Sequence, residues 1–123
     1  MSLNLTHDDA LALWHEVLVR SVRTGGPDLS QRQLAILLAV YLRPPPHTVR
    51  GLAALLDISK PAVTRALDTM SGLGLLKRKR DERDRRNVLV QRTPGGEAFL
   101  LRLGEMVTSA AAEVPPVILR EAV

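Results

Sequence analysis

The chain has no cysteine. This excludes disulfides, thiolate metal sites, thiol nucleophiles and thiol-based redox sensing, and it fits a cytoplasmic protein. Aromatic residues are nearly absent too: Trp14, Tyr41 and Phe99 are the only three. The core must therefore be aliphatic, built from Leu, Val, Ile, Ala and Met. No apolar run approaches the length needed to span a membrane. The opening MSLNLTHDDALALW carries acids where a secretory leader would carry Lys or Arg, so no membrane partner and no export are expected. His7, His15 and His47 are scattered without ligand spacing and are read as structural or surface residues. No Ser–His–acid set, carboxylate–histidine cluster or glycine-rich phosphate loop converges anywhere. Gly72-x-Gly74 is too short to mark a nucleotide site. Accordingly no enzyme, no metal and no cofactor are expected.

What the sequence does have is positive charge in one place. Its 123 residues suit a single domain, and 46% hydrophobic content is ordinary for a globular chain. Lys and Arg number 17 against 13 Asp and Glu, a net charge of +4. The stretch KRKRDERDRR, residues 77–86, holds seven basic and three acidic residues, so the ten basic and ten acidic residues elsewhere cancel. With a sequence pI of about 10.3, such focused charge points to a polyanionic partner.

Helix starts and stops punctuate the chain. Thr6 with Asp9 makes a capping-box-like start, and Gly25-Gly26-Pro27 ends that segment. Within it Leu11, Trp14, Leu18 and Val22 repeat at helical spacing, while Leu13 and Val17 widen the stripe beyond one core face. Such width predicts a second contact surface. Ser30 with Gln33 opens a further helix whose inner face is read as Leu34, Leu37, Leu38 and Tyr41, stopped by Pro44-Pro45-Pro46. Thr48 caps a short helix carrying Leu52, Ala53 and Leu56. After a turn at Asp57-Ile58, Ser59 caps the next, with Pro61 in its first turn. Val63, Ala66, Leu67 and Met70 form its apolar stripe, and Gly72 and Gly74 end it. LLKRKR and NVLVQRT then read as two strands around a turn at 81–86. Thr93-Pro94 opens a final helix bearing Phe99, Leu103, Met106, Val107 and Ala110, broken by Pro115-Pro116 before a short apolar tail.

Two helices joined by a tight turn and followed by a basic hairpin describe a winged helix-turn-helix. The expected fold is mainly α with a small β-hairpin wing, the winged core (30–93) flanked by N- and C-terminal dimerisation helices (6–24 and 94–123). A recognition helix needs an apolar face to seat it and a small, polar outer face near its N-terminus, because that end enters the major groove. Ser59, Lys60, Thr64, Arg65 and Asp68 supply that outer face. Ser59 and the free N–H groups beside it suit a phosphate, and Arg65 can reach a guanine edge.

Residues 48–96, TVRGLAALLDISKPAVTRALDTMSGLGLLKRKRDERDRRNVLVQRTPGG, resemble the winged-helix core of the MarR family of transcriptional regulators. The resemblance rests most on Ser59 to Leu73, the wing Asp81 to Arg86, and the closing Thr93-Pro94-Gly95-Gly96. It implies a homodimer that interlocks its terminal helices and reads a palindromic double-stranded DNA site, more often repressing than activating. It also implies that Arg83 or Arg85 enters a minor groove, that Asp84 and Arg86 form an ion pair shaping the wing, and that a small-molecule effector can exist. The chain departs from the family in its short terminal region, and in Arg92, which stands where an apolar residue usually precedes the Thr. With three aromatics it has little to build a phenolic pocket.

The DNA-binding set is then Ser59, Lys60, Thr64, Arg65, Lys77, Lys79, Arg83, Arg85 and Arg86, with Asp81 and Asp84 shaping the wing. Glu82 joins those two as a third acid holding the arginines. Plainer roles stay open beside these. Arg65 could pair with Asp68 or Asp81, Arg83 and Arg85 could be bridged by the neighbouring acids, and Thr64 could be an ordinary exposed residue. Trp14 could lie in the core, in a dimer interface or in an effector pocket. A winged-helix interaction module using its basic hairpin on a protein or RNA partner is the alternative to a DNA-binding regulator.

Overall fold

The computed structural model describes residues 5–113. Their order is α1 (His7–Thr24), α2 (Gln31–Leu42), α3 (Val49–Leu56), α4 (Lys60–Gly72), β1 (Leu76–Arg80), β2 (Val88–Arg92) and α5 (Pro94–Glu113). The expected break at Pro115-Pro116 and the tail beyond it, part of the 94–123 segment, lie outside the described residues.

Each helix begins where a side-chain oxygen can take an orphan N–H. Thr6 accepts from Asp9 N, Thr48 from Gly51 N and Ser59 from Ala62 N. Ser30 and Gln33 form a complete, reciprocal capping box. The Thr93 hydroxyl accepts from Gly96 N at the start of α5.

The chain divides into two compact units. One spans Leu29–Leu100. Its core draws Ile36, Leu37 and Val40 from α2, Leu52 from α3, Val63, Leu67 and Met70 from α4, Leu76 from β1 and Val90 from β2. The α4 stripe is buried as its spacing predicts. The inner face of α2 is corrected: Ile36, Leu37, Ala39 and Val40 are the buried positions, while Leu34, Leu38 and Tyr41 are only partly buried. QLAILLAVYL is apolar nearly all round, so periodicity alone cannot choose its face. β1 and β2 pair antiparallel, with Leu76 opposite Arg92 and Arg80 opposite Val88. Val90 N donates to His47 O (2.8 Å), and an antiparallel bridge joins Thr48 to Leu89. The hairpin is thereby tied to the start of α3.

The other unit holds the described residues up to Asp28 and those from Leu101 onward. Val17 and Ala110 are its fully buried side chains, and Arg20 of α1 bonds both Glu16 and Glu113 of α5. The wide stripe of α1 divides here. Leu13 and Val17 turn inward, whereas Leu11, Trp14, Leu18 and Val22 are exposed, by between 46% and 79%.

Candidate nucleic-acid interface

Ser59 caps α4, and Pro61 sits in its first turn, where a missing N–H costs nothing. Because Val63, Ala66, Leu67 and Met70 take the inner face, the intervening Lys60, Thr64 and Arg65 are left exposed. Arg65 has no acidic partner among the described residues. The alternative partner Asp68 is taken instead by Arg78 of β1, at 2.7 Å.

That contact orients the hairpin. Successive side chains of a strand alternate faces, and Leu76 is buried, so Arg78 and Arg80 share its face while Lys77 and Lys79 lie on the opposite one. The candidate residues Lys77 and Lys79 are therefore on the side of the strand away from the Asp68 contact. Arg78, which the charge count alone did not single out, is the one that meets the α4 side chain. Alternation counted from Leu76 is the signal that would have found it.

The turn at 81–86 is held by two aspartates through the backbone. Asp81 Oδ1 accepts from Arg83 N (2.9 Å), and Asp84 Oδ1 accepts from Arg86 N (3.1 Å). Asp84 also grips the Arg86 guanidinium, accepting from Nε on Oδ1 (3.1 Å) and from Nη2 on Oδ2 (3.3 Å). These bonds to Arg86 hold the Asp84 carboxyl below the usual carboxylate range, with Arg50 of α3 adding to the effect. The expectation that all three acids hold arginine side chains is corrected. Asp81 and Asp84 shape the turn, Glu82 makes no such bond among the described residues, and the side chains of Arg83 and Arg85 have no acidic partner there. Lys79, Arg80, Glu82 and Arg85 border an open cleft at the hairpin's end. No cluster of His, Asp or Glu among the described residues could hold a metal ion. No helix among them is long and apolar enough to cross a membrane.

A model of the MarR family matches residues 28–87, from before α2 through the wing. Over that stretch the chain is similar to the MarR family. Its solved structural relatives agree. The transcriptional repressor CouR, bound to a 23-mer DNA duplex, is 26% identical over 85% of this chain and 70% of its own, with a TM-score of 0.68. The transcriptional regulator BldR from Sulfolobus solfataricus is 26% identical over 89% of this chain and 84% of its own, with a TM-score of 0.59. A variant of MarR from E. coli, complexed with operator DNA, is 23% identical over 84% and 68%, with a TM-score of 0.64. No curated protein sequence matches this chain. The winged helix-turn-helix of 29–100 is the family's fold.

Proposed function

We propose that the chain is a sequence-specific transcriptional regulator that binds double-stranded DNA as a homodimer on a palindromic site, in the repressing mode. One observation carries the reading. The exposed, polar N-terminal half of α4 shares a compact unit with a wing whose Arg83 and Arg85 have no acidic partner among the described residues. In this scheme α4 enters the major groove. Arg65 presents its guanidinium to a guanine edge, Thr64 meets a base or phosphate, and Ser59 with Lys60 meets the backbone. Arg83 and Arg85 enter the minor groove, where A·T-rich steps deepen the negative potential. Arg86, clamped by Asp84, keeps the tip in shape and lends charge to the neighbouring phosphates, as do Lys77 and Lys79. CouR, the 26%-identical relative, was solved on a DNA duplex.

Two copies are needed to read a palindrome. The exposed stripe of Leu11, Trp14, Leu18 and Val22, with Leu101 of α5 also exposed, supports assigning 6–24 and the segment from 94 onward to dimerisation. So broad an apolar surface marks an interaction site. Work on DNA fits the cytoplasm. The test is selection of bound sequences from random duplex DNA. Enrichment of a palindrome with two equal half-sites is expected. Recovery of unenriched DNA would overturn the regulator reading and leave the basic hairpin to a protein or RNA partner.

A further inference from the structure

The winged-helix unit has a second concave surface that this scheme does not use. A groove of about 500 Å³ lies between the Pro45–His47 run and β2, within the ~300–1,000 Å³ range of small-molecule sites. Pro45, Pro46, Leu89 and Val90 give it an aliphatic lining, without Phe, Tyr or Trp and without an acidic residue. The bond from Val90 N to His47 O ties its two sides together, so the groove is preformed.

The one Lys or Arg in the lining is Arg92, and it is fixed in place. Its Nε donates to Val40 O (3.3 Å), its Nη2 donates to Tyr41 O (3.0 Å), and its guanidinium lies 5.3 Å from the centre of the Tyr41 ring. Both acceptors are neutral carbonyls at the C-terminus of α2, so they orient the cation without neutralising it. No acid pairs with it among the described residues. Of the five guanidinium N–H groups, two are engaged. The others remain for an anion, which binds a pre-ordered side chain with little further loss of entropy.

We propose that this groove binds an aliphatic monocarboxylate of medium chain length. The carboxylate takes the free N–H groups of Arg92, and the tail lies along Pro45, Pro46, Leu89 and Val90. One guanidinium matches one carboxylate in charge and in forked geometry. A phosphate dianion would call for a second permanent cation, and the lining holds no Lys and no other Arg. An aromatic acid would find no Phe, Tyr or Trp ring in the lining.

The test uses the whole ¹⁵N-labelled chain without DNA, so its outcome is independent of the regulator reading. Sodium octanoate is titrated while backbone amides are followed by NMR, with octanamide as the uncharged control. Octanoate is expected to shift the amides of His47 and Leu89–Arg92 saturably, and octanamide to bind at least about tenfold more weakly. Arg92→Met should abolish the octanoate response and Arg92→Lys should retain part of it. The amide control keeps the test valid if either variant folds poorly. The proposal is overturned if those amides show no saturable shift, if octanamide binds as tightly as octanoate, or if the shifts fall on α1 instead.

Discussion

A Cβ on Gly96 would fall on the Tyr41 hydroxyl and on the Leu75 carbonyl oxygen. That hydroxyl is already committed, accepting from Thr93 N (2.9 Å) and lying 2.9 Å from Thr93 O and 3.3 Å from Leu75 O. The neighbouring Thr93 hydroxyl donates to Gly74 O (2.7 Å). Gly74 itself sits at φ +74°, a left-handed conformation in which glycine carries no steric cost. The joint between the wing and α5 therefore closes around a hydrogen-bonded tyrosine with no room for a methyl group. Gly96→Ala should cost about 2–4 kcal/mol, from overpacking and from loss of the Tyr41 bonds. Urea unfolding measures it, and a loss under about half a kcal/mol would contradict this packing. Asp84 supplies a second prediction at this scale. Its folded carboxyl titrates below its unfolded value because the bonds from Arg86 favour the charged form. The contribution is thus fully present above the unfolded pKa and is lost as pH falls through the folded one. An NMR titration should show the Asp84 carboxyl and the Arg86 amide changing together, below the ordinary aspartate range. A midpoint at the ordinary value would mean that the clamp does not form in solution.

Among the elements, α4 and the hairpin matter most, and the Asp68–Arg78 pair is the side-chain ion pair between them. Asp68 is well exposed and the Arg78 side chain about a third exposed, and such surface pairs are worth roughly 0–1 kcal/mol. Their consequence is therefore orientation more than stability. Asp68→Asn should leave the unfolding midpoint nearly unchanged while shifting the β1 amides, and unshifted β1 amides would contradict the strut. Legibility followed the range of the interactions. The caps at Thr6, Ser30, Thr48 and Ser59 could be read directly because each uses partners three residues away. The α4 stripe was legible because polar residues flank it. The α2 face was not, since nearly every position there is apolar. Arg78 and Arg92 were missed for a further reason. Their partners, Asp68, Val40 and Tyr41, are brought near by strand register and helix packing, which local spacing does not encode.

At the scale of the whole molecule, the outward stripe of α1 is apolar surface that a lone chain would leave in water. Spacing revealed one wide stripe on this helix; which part of it faces outward became clear only from burial. If the outer stripe seats a second copy, the wild-type chain sediments as a dimer at micromolar concentration. Leu18→Glu should then yield a monomer while α-helical content is kept, because Leu18 is 46% exposed and takes no part in the buried set. A wild-type monomer would undercut the palindromic geometry. If two half-sites are read together, each lobe adds its own contacts, and one short helix per chain is then enough for specificity.

The central claim is that α4 reads bases while the wing supplies largely sequence-independent attraction. Affinity for the selected palindrome and for random duplex, measured at one fixed salt concentration for wild type and Arg65→Ala, tests it most directly. Wild type should prefer the palindrome by roughly a thousandfold or more. Arg65→Ala should weaken palindrome binding by about 1–3 kcal/mol and leave random-DNA binding much less changed. Equal loss on both DNAs would reduce Arg65 to a phosphate contact, and equal wild-type affinity for both would contradict the account as a whole.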